Sequence, residues 1–206
     1  MEMNKIEYIK MANVEEKHWW YKSLHYLNYK AIKQYSNSKD IAIVDAGCGT
    51  GGMLLYLHNK GYTNISGIDM SKEGISFCKS RKIKCKKEKI QNLHKVYDKN
   101  SIDIVICNDV INYVSEEDQK TTLQTIFSIL KDDGICLINV PAFNYFRGIH
   151  DKAVGLSTRY TKKSFSLLIN KKQFKIIYMK YWPFLLSPII LMIRTLQRLQ
   201  LNFNNK

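Results

Sequence analysis

The feature that most constrains the fold is a glycine-rich turn between an apolar run and a helical segment. Ile41–Val44 is a short, continuous apolar run, typical of a strand that is buried on both faces. It leads into Asp45-Ala46-Gly47-Cys48-Gly49-Thr50-Gly51-Gly52, which contains four of the ten glycines. Met53–Lys60 then has the pattern of a helix, which Gly61 closes. Such a turn lets a ligand approach the main chain beside the free N–H groups of a helix start.

The alternation of strand and helix continues along the chain. The pattern predicts helices over most of Ile6–Tyr35, over Lys72–Ser80 after the cap Ser71, after Ser115, and over Lys162–Lys171. Further strands are predicted at Asn64–Ile68, Ile83–Lys86, Ile102–Cys107, Ile135–Val140 (after the turn Asp132–Gly134) and Phe174–Tyr181. Strands that alternate with helices at this pitch predict one α/β domain over residues 1–206, with a mostly parallel sheet. Within it we assign 1–38 to an N-terminal helical lid, 39–141 to the ligand-binding core and 142–206 to an acceptor-side segment.

The glycine spacing fits two cofactor templates. Gly47, Gly49 and Gly52 satisfy G-x-G-x-x-G of dinucleotide sites, and Gly47, Gly49 and Gly51 satisfy G-x-G-x-G after Asp45. A carboxylate just before the first glycine disfavours a pyrophosphate, whereas it suits a ligand that carries an ammonium and a sulfonium. Asp69, 18 residues beyond Gly51, is placed to accept both ribose hydroxyls of either cofactor.

Several segments together resemble class I S-adenosylmethionine-dependent methyltransferases. Val44–Gly51 resembles the first motif of that family, Gly67–Ser71 the end of its second strand, and Ile102–Val105 with Asn108–Val114 its fourth strand and following loop. The resemblance implies a Rossmann-like, doubly wound sheet of order 3-2-1-4-5 followed by the last strand or strands. It implies S-adenosylmethionine as cofactor and S-adenosylhomocysteine as product.

The same resemblance assigns the cofactor contacts. The methionine end would be held by Asp45, Ala46, Gly47, Cys48, Gly49 and Gly51, with Asp69 on the ribose, Met70 beside the adenine and Asn108 near the transfer site. Lys89 stands where many members have an aspartate for the adenine amino group. Either Glu88 replaces that aspartate or the backbone of Ile90 makes the contact.

Two flanking segments resemble a bacterial type-11-like subgroup. Glu16–Tyr21 is similar to its N-terminal E-x-H-W-W element, so His18 and Trp20 are candidates for a lid over substrate and cofactor, or for an aromatic staple that only holds a helix. Val140–Phe143, His150-Asp151 and Arg159–Thr161 resemble its segment after the fifth strand, although Leu156 and Thr158 replace a histidine and an arginine. The resulting candidates are catalytic His150, Asp151 and Tyr160, and substrate-binding Tyr113, Arg159 and His18. The alternative for His150 and Asp151 is a pair that only fixes the loop.

The cysteines and histidines predict no metal site. Cys48, Cys78, Cys85, Cys107 and Cys136 are odd in number and contain no C-x-x-C pair, and the five histidines have no ligand spacing. Reduced thiols that serve as small apolar residues of a cytoplasmic protein are the simplest interpretation. The first residues also lack the apolar core of a secretion signal.

Positive charge is concentrated in the C-terminal quarter. The net charge is +14, and residues 152–206 carry eleven Lys or Arg and no Asp or Glu. Phe184–Leu201 predicts an apolar, basic helix, with Arg194 and Arg198 on one face. Such a helix suits an anionic membrane surface, or else packing on the domain or on a partner subunit in a homodimer. Nucleic acid is a weaker expectation, since no N-P-P-(Y/F) motif follows the fourth predicted strand.

The predicted function is therefore methyl transfer from S-adenosylmethionine to a small or lipid-linked acceptor. Two alternatives stay open at this point. One is a nicotinamide-dependent oxidoreductase, and the other is a non-catalytic, cofactor-binding protein of the membrane surface.

Overall fold

A computed structural model describes residues 5–148, 151, 158–183, 188–189, 191–193 and 195. Its described strands form one five-stranded sheet in which every pairing is parallel, in the order β3-β2-β1-β4-β5. The strands are β1 (Ile43–Ala46), β2 (Ile65–Asp69), β3 (Cys85–Lys87), β4 (Ile102–Asn108) and β5 (Leu130–Asn139). The predicted Rossmann-like order 3-2-1-4-5 is confirmed.

The central strand β1 explains the long apolar runs. Its four residues are all buried, and it pairs with β2 on one side and with β4 on the other. A parallel strand that is covered by helices on both faces must be apolar at every position, because neither face meets water. Asp45 is the exception within β1, and it is 3% exposed.

Helices join successive strands and cover both faces of the sheet. After the sheet begins they are α3 (Gly52–Asn59), α4 (Lys72–Ser80), α5 (Glu116–Ile129) and α6 (Lys162–Leu168). Hydroxyl caps begin three of them, since Ser71, Ser115 and Thr161 each accept a backbone N–H of the first turn. Short 3-10 turns at Ile90–Lys95, Ile111–Tyr113 and Asn144–Phe146 complete the described connections.

Two helices precede the sheet, where the sequence pattern predicts a largely helical stretch over Ile6–Tyr35. They are α1 (Lys5–Val14) and α2 (Trp19–Tyr35). The chain turns between them because His18 takes an extended conformation, and its Nδ1 accepts the Trp20 N–H at 3.3 Å. The turn lets α1 fold back towards the glycine loop instead of continuing the axis of α2.

Three predictions of local structure need correction. Phe174–Tyr181 is not a strand: side-chain packing attaches it to α5, with the Phe174 ring 5.6 Å from that of Phe127, and Ile176 and Ile177 are both exposed. The predicted helix Lys162–Lys171 ends at Leu168, where Ile169 turns to an extended conformation. The predicted turn at Asp132–Gly134 instead lies inside β5, in an irregularity between the pairings of Ile102 and Ile104 with that strand.

The predicted apolar, basic helix over Phe184–Leu201 falls largely outside the described residues, Arg194 and Arg198 included. Residues 188–189, 191–193 and 195 are helical and exposed. Over the described part of the chain, no helix combines the length and the apolar character that crossing a membrane requires.

Candidate active site

The glycine loop after β1 is curled by left-handed backbone conformations. Gly47 has φ +89° and Gly51 has φ +87°, values that side-chain-bearing residues rarely adopt. The N–H groups of Gly47 and Cys48 both donate to the Ile68 carbonyl, at 2.8 and 2.9 Å. The loop is thereby held against β2 at the carboxyl end of the sheet, where α/β proteins bind their ligands.

Asp69, at the carboxyl end of β2, is the anchor of this loop. Its carboxylate accepts the N–H groups of Gly49 and Ser71, each at 2.9 Å, and the Tyr8 hydroxyl at 3.3 Å. Burial raises its pKa, while the backbone donors lower it. A carboxylate with this support is rigidly oriented towards the pocket, as a ribose acceptor must be.

Asp45 lies at the neighbouring strand end and faces the same pocket. Burial raises the pKa of Asp45 to about 8, and negative charge on Asp69 and Glu15 acts in the same direction. A buried carboxyl group without a compensating cation favours its neutral form. A ligand that brought an ammonium or sulfonium group would supply that cation.

One large concave pocket, of about 1710 Å³, opens along the carboxyl ends of β1, β2, β4 and β5. It brings together nearly all the described candidate residues from the sequence. They are Asp45, Gly47, Cys48, Gly49, Asp69, Met70, Ile90, Asn108, Trp20, His18, Tyr113, Asp151, Arg159 and Tyr160. Ala46 is fully buried beneath it in β1, and Gly51 begins α3 behind it.

The N-terminal helices cover the cofactor side of this pocket. Tyr8 of α1 is buried against Asp69, and Met11 Sδ lies 3.2 Å from where a Cβ on Gly49 would stand. Glu15, 3% exposed, accepts the Thr50 hydroxyl at 2.5 Å and forms an ion pair with Arg81, which follows α4. These contacts fix α1 onto the glycine loop.

Aromatic rings close the opposite side. Trp20 of α2 stacks on Trp182, with ring centroids 4.5 Å apart and planes at 22°. The Trp182 indole N–H donates to Asn139 Oδ1 at 2.8 Å, at the end of β5. Trp20 therefore joins the N-terminal helices to the segment after α6, a contact that the sequence motif alone could not indicate.

The loop after β4 contains a residue that the sequence analysis missed. Asp109 follows Asn108 and has φ +53°, an uncommon conformation for a non-glycine residue. Burial raises the pKa of Asp109 to about 7, although the Asn139 amide donates to it at 2.9 Å and Arg159 is near. A lone aspartate in N-D-V gave no signal, because its strain and its burial arise only from the tertiary structure. Functional residues are often held in such strained conformations.

The acceptor-side candidates form a fixed cluster. The Arg159 guanidinium donates to both carboxylate oxygens of Asp151, at 2.8 and 2.9 Å, and to the Ala142 carbonyl at 2.9 Å. The Arg159 side chain that was predicted to bind substrate is thus engaged within the protein, while the residue still lines the pocket. Tyr160 is buried beside Phe165, and the predicted base His150 lies outside the described residues.

The adenine side of the pocket bears on the choice between Glu88 and the Ile90 backbone as the contact for the adenine amino group. Glu88 Oε1 accepts the Lys89 N–H and the Asn92 amide, both at 2.9 Å, so this side chain is turned onto its own loop. Lys89, Ile90 and Gln91 line the pocket. This arrangement favours a backbone contact at Ile90 over a contact from Glu88.

These features fit the binding of S-adenosylmethionine. The buried carboxyls of Asp45 and Asp69 suit a cationic nucleoside, and the open backbone of the glycine loop admits a ligand close to the main chain. A pyrophosphate would bring two negative charges beside the same carboxyls, which the site does not favour.

Comparison with known proteins agrees with this geometry. A family model described as a methyltransferase domain matches residues 37–180. A Geobacillus sp. (strain WCH70) protein named as a methyltransferase is 32% identical over 117 residues, which are 54% of this chain and 47% of that protein. The malonyl-[acyl-carrier protein] O-methyltransferase of Bacillus anthracis is 26% identical over 147 residues, 70% of this chain and 52% of the relative. The chain thus spans about half the length of these curated relatives.

Solved structures share the fold. A SAM-dependent methyltransferase from Archaeoglobus fulgidus superposes with a TM-score of 0.58 at 13% identity, over 86% of both chains. An S-adenosylmethionine-dependent methyltransferase from Clostridium acetobutylicum gives 0.55 at 22% identity, over 69% of this chain and 58% of that one. Together with the sequence match over residues 37–180, the fold and the pocket place this chain in the class I S-adenosylmethionine-dependent methyltransferase family.

Proposed function

We propose that this chain transfers the methyl group of S-adenosylmethionine to a nucleophilic atom of a small or lipid-linked acceptor. The observation that carries the proposal is the meeting of three carboxyl groups in one pocket. Asp45, Asp69 and Asp109 come from the ends of β1, β2 and β4, and all three line it. The first two suit the cofactor, and the third lies beside Asn108, where the acceptor would enter.

The bound cofactor supplies an already activated methyl group, so the protein contributes mainly position. Asp69 would orient the ribose, and the backbone of Gly47 and Gly49 would receive the methionine end. The α1 helix and the Trp20–Trp182 stack would exclude water from the space between donor and acceptor. Tyr113 and His18, which line the same pocket, are proposed to contact the acceptor.

Asp109 is the group we propose as general base when the nucleophile must lose a proton. A base works best when its pKa is near the working pH, and burial raises the pKa of Asp109 to about 7. The groups that face it are Arg159, whose charge lowers its pKa, and Tyr21 and Tyr113, whose own pKa values burial raises to about 12. Both phenols therefore stay neutral, and only Arg159 brings a charge.

The acceptor we propose carries negative charge. Two relatives named for their substrates act on phosphoethanolamine and on malonyl-[acyl-carrier protein], and both molecules are acidic. Residues 152–206 of this chain contain eleven basic and no acidic side chains. Lys162, Lys175 and Lys180 of this segment line the pocket, and their charges would attract an anionic acceptor, free or in a lipid headgroup.

Cofactor binding is tested by calorimetric titration with S-adenosylhomocysteine and, separately, with NAD. We expect saturable binding of the first ligand only. Asp69→Ala should weaken it by one to two orders of magnitude, because a charge-assisted pair of hydrogen bonds is worth about 1.5–3 kcal/mol. Asp103→Ala is the matched control, since Asp103 lies at the amino end of β4 and bonds to Ala42 and Lys131. Equal affinities of the two variants would overturn the ribose assignment.

The role of Asp109 is tested by the pH dependence of turnover with an acceptor found in a metabolite screen. Asp109→Asn should lower kcat by about two to four orders of magnitude and remove the rise in rate through pH 7. It should leave the affinity for S-adenosylhomocysteine nearly unchanged. A variant that retains the wild-type pH profile would show that Asp109 only supports the loop.

A further inference from the structure

Three of the five cysteines converge behind the glycine loop. Cys48 belongs to the loop after β1, Cys78 to α4 and Cys85 to β3, and their sulfur atoms all lie within 4.8 Å of one another. Cys48 Sγ is 3.9 Å from Cys78 Sγ and 3.6 Å from Cys85 Sγ. Residues up to 37 positions apart in the sequence therefore present three soft donor atoms to one point.

The spacing of these sulfurs matches a metal site better than a disulfide. Zinc–sulfur bonds of about 2.3 Å place two sulfurs of a tetrahedral site about 3.8 Å apart. The observed separations of 3.9 and 3.6 Å are close to that value. A disulfide would require one pair to close to about 2.05 Å, with movement of the backbone around it. That backbone is tightly packed, because a Cβ on Gly67 would stand only 2.8 Å from Cys48 Cβ.

We propose that Cys48, Cys78 and Cys85 form a binding site for one soft divalent ion of the Zn²⁺ or Cd²⁺ type. Each thiol would lose its proton on binding, and the three thiolates would leave the complex with one net negative charge. A fourth position would be filled by water or by an external ligand, as in open three-ligand zinc sites.

Access to the site is through Cys85. Cys48 and Cys78 are buried, whereas Cys85 is half-buried on the edge strand β3. The other two cysteines, Cys107 and Cys136, lie in β4 and β5 and are not part of the cluster. The chain therefore contains its own control thiols.

The site lies directly against the cofactor loop. Cys78 Sγ donates to the Gly49 carbonyl at 3.5 Å, and a Cβ on Gly51 would be 3.0 Å from Cys78 Sγ. A bound ion would tie the loop to α4 and β3, and it would stabilise the native state in proportion to its concentration over its Kd. The inference is independent of the proposed methyl transfer, because it needs neither cofactor nor acceptor.

The test is titration of the reduced full-length chain with Cd²⁺ in the presence of a non-thiol reductant. We expect the near-ultraviolet absorption of thiolate-to-cadmium charge transfer to saturate at one ion per chain, with a rise in the unfolding temperature. Cys85→Ser should weaken Cd²⁺ binding at least tenfold. Cys136→Ser, another half-buried strand cysteine, should leave it unchanged.

Thiol labelling of the wild type provides a readout that does not depend on a variant folding. Compared with the ion-free chain, bound Cd²⁺ should slow alkylation of the half-buried Cys85 and leave that of the half-buried Cys136 unchanged, as followed by mass spectrometry. Absence of the charge-transfer band in the wild type, or equal binding by the Cys85→Ser and Cys136→Ser variants, would overturn the proposal. A mass loss of two protons without bound cadmium would show a disulfide instead and would also overturn it.

Discussion

Gly47 and Gly61 offer a comparison that separates backbone strain from steric overlap. Both have left-handed backbones, with φ +89° and +88°. A Cβ on Gly47 would lie 2.3 Å from Val110 Cγ2 and 2.7 Å from Val110 Cγ1, whereas a Cβ on Gly61 would have no atom within 4 Å. Alanine therefore meets the same strain at both positions and a collision at only one.

The magnitudes follow from these two terms. Strain alone costs about 1–2 kcal/mol, so Gly61→Ala should lower Tm by about 2–8 °C in a chain of this size. Overlap with Val110 adds about 1–3 kcal/mol at Gly47. Gly47→Ala should therefore lower the free energy of unfolding by about 2–5 kcal/mol and Tm by about 4–20 °C.

Two measurements decide whether the collision with Val110 is the cause. Thermal unfolding is compared for both alanine variants, for Val110→Ala, and for the double variant Gly47→Ala with Val110→Ala. Removing the two Val110 methyl groups leaves the nearest contact, with Val110 Cβ, at 3.0 Å, so the double variant should recover part of the loss. Of the two glycine-to-alanine variants, only Gly47→Ala should bind S-adenosylhomocysteine more weakly than the wild type. Equal destabilisation at Gly47 and Gly61, or no recovery in the double variant, would refute the steric explanation.

Three further perturbations test the lid, the buried acid and the C-terminal segment. Glu15→Ala should cost about 3–5 kcal/mol and speed hydrogen exchange in α1, because it removes the buried ion-pair partner of Arg81. Glu16→Ala should cost under about 1 kcal/mol, because Glu16 lies 3.5 Å from the same Arg81 but is 58% exposed. Similar losses in the two variants would contradict a special role of the buried Glu15–Arg81 pair. Burial raises the pKa of Asp45 to about 8 in the empty site, and the ammonium group of a bound ligand would lower it. The affinity for S-adenosylhomocysteine should therefore rise with pH up to about 8, by up to tenfold per pH unit. Asp45→Asn should lose that dependence, and an unchanged profile would contradict the linkage. Deleting residues 183–206, which include the exposed Ile189 and Met192, should abolish sedimentation with anionic vesicles at low salt. If the undeleted chain does not bind the vesicles either, the C-terminal segment does not attach the protein to membranes.

The core of the fold could be predicted because its signals are local. An apolar run, a glycine turn and a helix that Gly61 closes follow one another within about 20 residues around β1 and α3. Each of these signals acts through neighbours in the chain, and the sheet order then follows from the family resemblance. The proposed cofactor residues Asp45 and Asp69 are found in the same way, since each lies at the end of a strand that can be recognised from its sequence.

The acceptor side could not be predicted to the same depth because its contacts are between distant segments. Trp20 meets Trp182 across 162 positions, and Asp109 interacts with Asn139 and Arg159, which lie far along the chain. The segment Phe174–Tyr181 has the composition of a strand, but it packs on α5 through the Phe174 and Phe127 rings, without a backbone ladder. Strand propensity describes a residue that fits a half-buried pleated surface, and tertiary packing decides whether that surface is available.

The distribution of acids within a basic chain links the two halves of the pocket. The net charge is +14, yet the carboxyl edge of the sheet collects Asp45, Asp69 and Asp109, whose pKa values burial raises in each case. At neutral pH the empty site therefore holds Asp45 largely, and Asp109 in part, as neutral groups. Any cation that enters favours their ionised forms, because opposite charge lowers the pKa of a carboxyl. A cationic cofactor would in this way both complete its own binding site and leave Asp109 ionised, so the base would be ready only after the methyl donor is in place.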